Sequence, residues 1–257
     1  MKKIIVFDLD GTLAESKAAI DNEMAKLVHD LLKTTLVAII SGGAWTQFEK
    51  QVIAHLPAGS DLCKLSILPT CGTKFYSYEK SKWKMLYAEN FTDAQKQKIE
   101  TSLKNVVERS GFKSGKTWGD QIEDRDSQIT FSALGQQAPL IAKKAWDPDF
   151  EKRRKIKALL EKLIPEFAIN LGGATSIDVT QSGIDKAYGI HKLEVVLKID
   201  IADMLFIGDA LFEGGNDHPV KTTGADCIQV GGPEETKIII RRIISCQINN
   251  SDCRRNI

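Results

Sequence analysis

The sequence predicts an α/β chain: a doubly wound, mainly parallel sheet interrupted by an inserted α+β domain. Three observations carry this. Short β-branched runs alternate with stretches of helical periodicity at both ends of the chain. Each run breaks off at a small cluster of Asp, Gly, Ser or Thr. The middle of the chain instead holds long amphipathic stretches and segments of alternating polarity.

Taken in order, Ile4 to Phe7 reads as a strand buried on both faces, followed by the polar loop Asp8-Leu9-Asp10-Gly11-Thr12. Lys17 to Leu32 places Ile20, Met24, Leu27, Val28 and Leu31 at helical spacing. Leu36 to Ile40 is a second buried strand, stopped by Ser41-Gly42-Gly43. Trp45 to Ala54 is helical, and Leu65 to Leu68 is a third strand that turns away through Pro69 to Thr73. Lys82 to Tyr87 and Gln128 to Ala133 read as strands with one wet face, and Thr175 to Val179 as another strand. Thr92 to Glu108 and Asp149 to Leu163 are amphipathic helices. After Gly183 the strict alternation returns: helix Ala187 to Leu197, strand Asp203 to Ile207 ending in Gly208-Asp209, strand Cys227 to Val230, and helix Glu234 to Ile244. The tail from Cys246 is polar and is expected to fray. The expected division is a discontinuous core, 1–80 and 184–257, with an insertion over 81–183.

Composition narrows the function. The 257 residues carry 35 Lys+Arg against 34 Asp+Glu, a formal charge of +1. That offers no basic surplus to attract nucleic acid. The five cysteines are scattered without CxxC spacing, which fits a reducing, cytoplasmic setting. The apolar start Ile4 to Phe7 is cut short by Asp8, whereas a secretory leader needs about 7–15 apolar residues. No stretch approaches the roughly 18 uninterrupted apolar residues of a membrane span. Neither nucleic acid nor a membrane is an expected partner. Oligomeric state is left open, because the amphipathic helices of the insertion suit an internal core or a homodimer interface equally.

The chemistry gathers at predicted strand ends. In an open parallel sheet the carboxyl ends of the strands are where ligands bind. Asp8/Asp10, Ser41, Lys186 and Asp209/Asn216/Asp217 would converge there. Asp8, first past a strand, suits a nucleophile, and Asp10, on the same side of the turn, suits a general acid and base. Gly11 and Thr12 allow a tight turn whose N–H groups cradle an anion. Crowded carboxylates with few other ligands suit Mg²⁺, with Asp209 adding a ligand. Lys186 would neutralise phosphoryl oxygens, and phosphoryl transfer asks mainly for such positioning and neutralisation. Singly, an Asp after a strand is usually a turn-former and a lone Lys a surface residue; the ordered combination carries the reading. Cys71, His191, His218, Trp45, Phe48, Trp118 and Trp146 read as packing or surface residues.

The combination resembles the haloacid dehalogenase (HAD) superfamily of aspartyl phosphotransferases. Asp8-Leu9-Asp10-Gly11-Thr12 matches its first motif, Ser41 the second, Lys186 the third, and Gly208-Asp209 with Gly214-Gly215-Asn216-Asp217 the fourth. The insertion lies where subfamily IIB carries its C2-type cap. Within the superfamily the chain is most similar to eukaryotic-type phosphomannomutases and related sugar phosphatases. Ile122-Glu123-Asp124-Arg125-Asp126 matches the start of one cap signature, and the run from Ser176 through Asp178 to Lys186 matches a later one. The resemblance implies a Mg²⁺-dependent enzyme acting on a phosphorylated sugar. It implies catalytic roles for Asp8, Asp10, Ser41 and Lys186, and a metal set of Asp8, Asp10, Asp209 and Asp217, with Asp10 ligating through its backbone carbonyl. It implies substrate contacts at Leu9, Gly42, Arg125, Ser176, Asp178 and Asn216.

Three departures bear on the outcome. The family's Arg after the first motif is Lys17 here, its second cap Arg is Gln136, and its third falls near Lys143. A mutase holds a sugar bisphosphate at both ends and needs two cationic phosphate sites. Lys lacks the bidentate fork of Arg, and Gln has no charge. The sequence therefore favours hydrolysis of a sugar phosphate, with mutase activity as the runner-up. A phospho-accepting signalling module is a third reading, but such modules are shorter and have no use for a cap of about a hundred residues.

Overall fold

Ile4, Ile5, Val6 and Phe7 are at most 1% exposed, as a strand buried on both faces requires. They form β1 (Ile4–Asp8), with β10 (Met204–Gly208) on one side and β2 (Leu36–Ile40) on the other, both parallel. β3 (Leu65–Leu68) follows β2 in parallel, and β11 (Asp226–Gln229) follows β10. β4 (Lys74–Glu79) is antiparallel to β3, and β5 (Lys82–Ala88) ends the sheet, whose full order is β11-β10-β1-β2-β3-β4-β5. This computed structural model describes residues 2–112 and 115–255, with side chains up to residue 246. The chain divides into two compact units, Met1–Tyr87 with Lys186–Ile257, and Ala88–Asp185.

The strand alternation feeds two separate cores. Ile5, Phe7, Val37, Ile39, Ile67 and Ile207 face one side, where α1 (Asn22–Leu32), α2 (Trp45–Gln51) and α7 (Pro233–Arg255) supply Met24, Val28, Phe48 and Ile240. Ile4, Val6, Ala38, Ile40, Met204 and Phe206 face the other, against Ile190 and Leu193 of α6 (Lys186–Leu197). Helices on both faces define the doubly wound layer. Each fully buried Ile or Phe contributes about 1.5–3 kcal/mol of transfer free energy. α6 lies close to the sheet because Gly189 lacks a side chain: a Cβ there would meet Ile40 Cδ1 at 2.1 Å.

The second unit is a four-stranded antiparallel sheet of order β6-β7-β9-β8, from β6 (Ile122–Asp124), β7 (Gln128–Ser132), β8 (Phe167–Leu171) and β9 (Ser176–Gln181). Ile129, Phe131, Ile177, Val179 and Ile169 pack with Ile99 and Leu103 of α3 (Asp93–Ser110) and Ile156 and Leu160 of α5 (Glu151–Leu163). Thr92 caps α3 in a capping box with Gln95, which explains why the helix starts where its periodicity does.

Several expectations are corrected. The first helix starts at Asn22, not Lys17, because Lys17 has φ +59 and the Asp21 side chain caps the Met24 N–H at 2.8 Å. The strand expected over Lys82 to Tyr87 belongs to the edge of the seven-stranded sheet, outside the insertion's own sheet. β7 has no wet face: Gln128, Thr130 and Ser132 are buried and bonded among themselves and to Asp178 and Thr175. The tail is helical through Arg255; the side chain of Cys253 lies outside the described residues. β4, β6, β8 and the short α4 (Leu140–Trp146) were not anticipated.

Candidate active site

Asp8 closes β1 and is 3% exposed, with Ile40 as its register partner on β2, so Ser41 leaves the neighbouring strand at the same edge. After it the chain turns tightly: the Leu13 and Ala14 N–H groups donate to the Leu9 carbonyl at 3.0 and 3.1 Å, and the Gly11 N–H to Ala14 at 2.7 Å. Gly11 has φ +93, and a Cβ on it would lie 2.4 Å from Asp209 Oδ2. Glycine thus satisfies both a left-handed turn and the close approach of a carboxylate. Thr12 Oγ1 donates to Asp209 Oδ1 at 3.5 Å.

Lys186 opens α6 and is 1% exposed. Its Nζ donates to Asp8 Oδ1 at 2.5 Å and also to Asp217 Oδ1. Asp217, fully buried, accepts from the Ala210 N–H at 3.0 Å through its other oxygen. The carboxylates of Asp8, Asp209 and Asp217 offer oxygens all within 4.8 Å of one another. Ser41 is buried, and its Oγ accepts from the Gly43 N–H at 3.2 Å. Gly42 follows Ser41, and Asn216 precedes Asp217, in loops of the same unit.

Three carboxylates share one ammonium here. Burial pushes the Asp8 carboxyl well above the usual carboxylate range; Lys186 pulls it back, and the charges of Asp217 and Asp209 add to the rise. Burial, then Asp217, raises Asp209 as well. Burial lowers the proton affinity of Lys186, but Asp217 and Asp8 outweigh it and raise it above the ordinary lysine value. The cluster thus carries an excess of buried negative charge, which is costly unless neutralised. Hard oxygen donors at this spacing fit Mg²⁺.

Asp10 stands apart from this group. Its carboxylate is not one of the three clustered among the described residues; Oδ1 accepts from the Lys17 N–H at 2.6 Å and Oδ2 from Gln47 Nε2 at 2.7 Å. The Asp10 side chain is held by two donors, in the following loop and on α2, which is compatible with a metal role for its backbone carbonyl alone. Gln47 escaped sequence reading. Its only signal is its spacing from Gln51, one turn on along α2.

Arg125, Ser176 and Asp178 lie in the second unit. Arg125 forms an ion pair with Glu123 at 2.7 Å. Asp178, on β9, accepts from Thr130 Oγ1 at 2.7 Å, and Ser176 pairs with Ser132 across the ladder. Lys143 is buried at 6% exposure, and its Nζ donates to the Gln136 carbonyl at 3.2 Å.

This sheet order, with acidic residues and a lysine at its carboxyl edge, defines an enzyme of the haloacid dehalogenase phosphotransferase and phosphatase class. The fold is shared with a haloacid dehalogenase-like hydrolase from Bacteroides thetaiotaomicron (TM-score 0.62, 16% identity, covering 95% of this chain and 100% of that one). It is also shared with IMP-bound Plasmodium falciparum IMP-nucleotidase (TM-score 0.67, 18% identity, 95% and 68%). Within the class, residues 24–246 match the model of the eukaryotic phosphomannomutase family, and the chain belongs to that family. A phosphomannomutase of Encephalitozoon cuniculi is 25% identical over 249 residues, 91% of each chain.

Proposed function

We propose that this chain is a Mg²⁺-dependent phosphatase of a sugar phosphate, working through an aspartyl phosphate on Asp8. The observation that carries the phosphotransfer reading is Lys186, whose buried ammonium donates to both Asp8 and Asp217 at the strand ends. Asp8 attacks phosphorus, and Asp10 protonates the departing sugar oxygen and then takes a proton from water. Ser41 and Lys186 hold the phosphoryl oxygens, with Leu9, Gly42 and Asn216 supplying further substrate contacts. Asp8, Asp209 and the Asp10 backbone carbonyl would hold Mg²⁺, and Asp217 would orient that shell. When bound, Mg²⁺ neutralises charge that builds on the transferring phosphoryl group. Arg125, Ser176 and Asp178 bind the sugar. A cytoplasmic setting belongs to the same reading and is supported by scattered cysteines without CxxC spacing; no helix among the described residues is long and apolar enough to cross a membrane.

Hydrolysis is favoured over isomerisation by the charge in the second unit. Gln136 replaces an arginine of the resemblance, Lys143 is buried against the Gln136 carbonyl, and Arg125 is partly neutralised by Glu123. That is little free positive charge for a second phosphate. Family membership favours the mutase as the second reading. A panel of sugar monophosphates, assayed for released phosphate with Mg²⁺ and with EDTA, tests the proposal. Release that needs Mg²⁺ and Asp8 supports it; unchanged release from Asp8→Asn would overturn it.

A further inference from the structure

We infer that Gln47, backed by Gln51, is a positioning residue for proton transfer by Asp10, because its amide suits both protonation states of that carboxyl. The inference rests on the reading of Asp10 as the proton-transfer group. The two oxygens of Asp10 have different neighbours. Oδ1 faces the Lys17 backbone N–H, a fixed donor that never accepts. Oδ2 faces Gln47 Nε2 at 2.7 Å. A proton on Oδ1 would oppose a permanent donor, so Oδ2 is the oxygen favoured to carry it.

A side-chain amide is a donor at one end and an acceptor at the other. Both hydrogens of Gln47 Nε2 are used, one on Asp10 Oδ2 and one on Gln51 Oε1 at 3.0 Å. Gln51 is 4% exposed, and its own Nε2 is buried without a hydrogen-bond partner. Such an orphaned donor is costly where it stands. If the two amides turn over together, Gln51 Nε2 donates to Gln47 Oε1, which also accepts from a protonated Asp10, and Gln51 Oε1 takes the unpartnered place, so Gln51 has one orphaned atom in either arrangement. One arrangement matches the carboxylate, the other the carboxylic acid.

The reaction needs both. As the bond from Asp8 to phosphorus forms and the bond to the leaving oxygen breaks, that oxygen takes the Asp10 proton, leaving a carboxylate. Water then bonds to phosphorus, the Asp8–phosphorus bond breaks, and the water's proton returns to Asp10. A fixed donor such as lysine at position 47 would suit only one of these states.

The test compares p-nitrophenyl phosphate, whose leaving group needs no proton, with phenyl phosphate, whose leaving group is far more basic. Gln47→Met and Gln51→Met, each checked for an unaltered melting transition, are expected to slow first-turnover release of phenol about tenfold or more, with KM and first-turnover release of p-nitrophenol nearly unchanged. Gln47→Glu is expected to regain phenyl phosphate turnover as the pH falls and the introduced carboxyl can both donate and accept. Equal losses on both substrates, or none on either, would overturn the inference while leaving the Asp8 reading intact. Failure of the unaltered chain to hydrolyse either ester would overturn that reading itself.

Discussion

At the scale of single residues, the strand-end cluster is a strained balance of charge. Asp8, Asp209 and Asp217 crowd one ammonium, and burial raises Asp8 and Asp209 above the ordinary carboxylate range. Removing one carboxylate relieves the excess. Asp8→Asn is therefore expected to lose about 10³-fold or more in phosphatase kcat. In EDTA at neutral pH it should nevertheless be more stable than the parent by about 1 kcal/mol, since active sites trade stability for function; paired activity assays and thermal melts check both. Removing the ammonium does the reverse. Lys186→Met leaves Asp8 and Asp217 buried without their partner and should cost about 3–5 kcal/mol in denaturant unfolding. Asp8, Asp10 and Asp209 stand out in sequence because each lies at or just past a strand end, and Lys186, which opens α6, stands out through its place in the motif order. Gln47 was not, because a glutamine on a surface-facing turn of helix looks like any other until Asp10 Oδ2 is placed against it.

At the scale of elements, α1 and α7 are tied by Lys237, whose buried Nζ reaches Asp21 at 2.6 Å, Glu234 at 2.5 Å and Glu23 at 3.2 Å. The Lys237 hydrogen bond first, then the Met24 N–H, holds Asp21 below the usual carboxylate range. A carboxyl lowered by folding stabilises above its unfolded pKa of about 3.9 and loses that contribution as the pH falls through its folded value. The carboxylates are half-exposed or more, so Lys237→Met should cost only about 1 kcal/mol at pH 7. That difference from the parent should shrink in melts run at pH values falling below about 3.9, as Asp21 takes up its proton. Element reading succeeded where burial imposes a pattern: β1 and β2 hold continuous apolar runs, β3 is apolar but for the buried Ser66, and α3 has its capping box. It failed where tertiary contact decides. β4, antiparallel to β3, is hidden by its mixed polarity, and β5, legible as a strand, shows nothing in its sequence of the sheet it joins. The early start assigned to α1 missed the left-handed turn at Lys17, which no helical period reveals.

At the scale of the whole molecule, the two units have separate cores with different continuity in the chain. Residues 88–185 are one segment with a core of their own, centred on Ile99, Leu103, Ile129, Ile156 and Ile177. Produced alone, this segment is expected to unfold cooperatively, as followed by near-UV circular dichroism. Residues 1–87 alone should not, because β1 would lose β10 along its whole length. The order of the polar motifs points to an interrupted plan, while the boundary near residue 88 depends on which sheet β5 joins. The near-neutral total of +1 says little, since the functional charge is local: an acidic excess at the sheet edge and a missing arginine at Gln136. The proposed preference for hydrolysis over isomerisation rests on that absence. The most direct measurement is ³¹P NMR of the unaltered chain with Mg²⁺, a hexose 1-phosphate and a catalytic amount of the hexose 1,6-bisphosphate. Steady growth of inorganic phosphate is predicted; conversion to hexose 6-phosphate without inorganic phosphate would contradict the account.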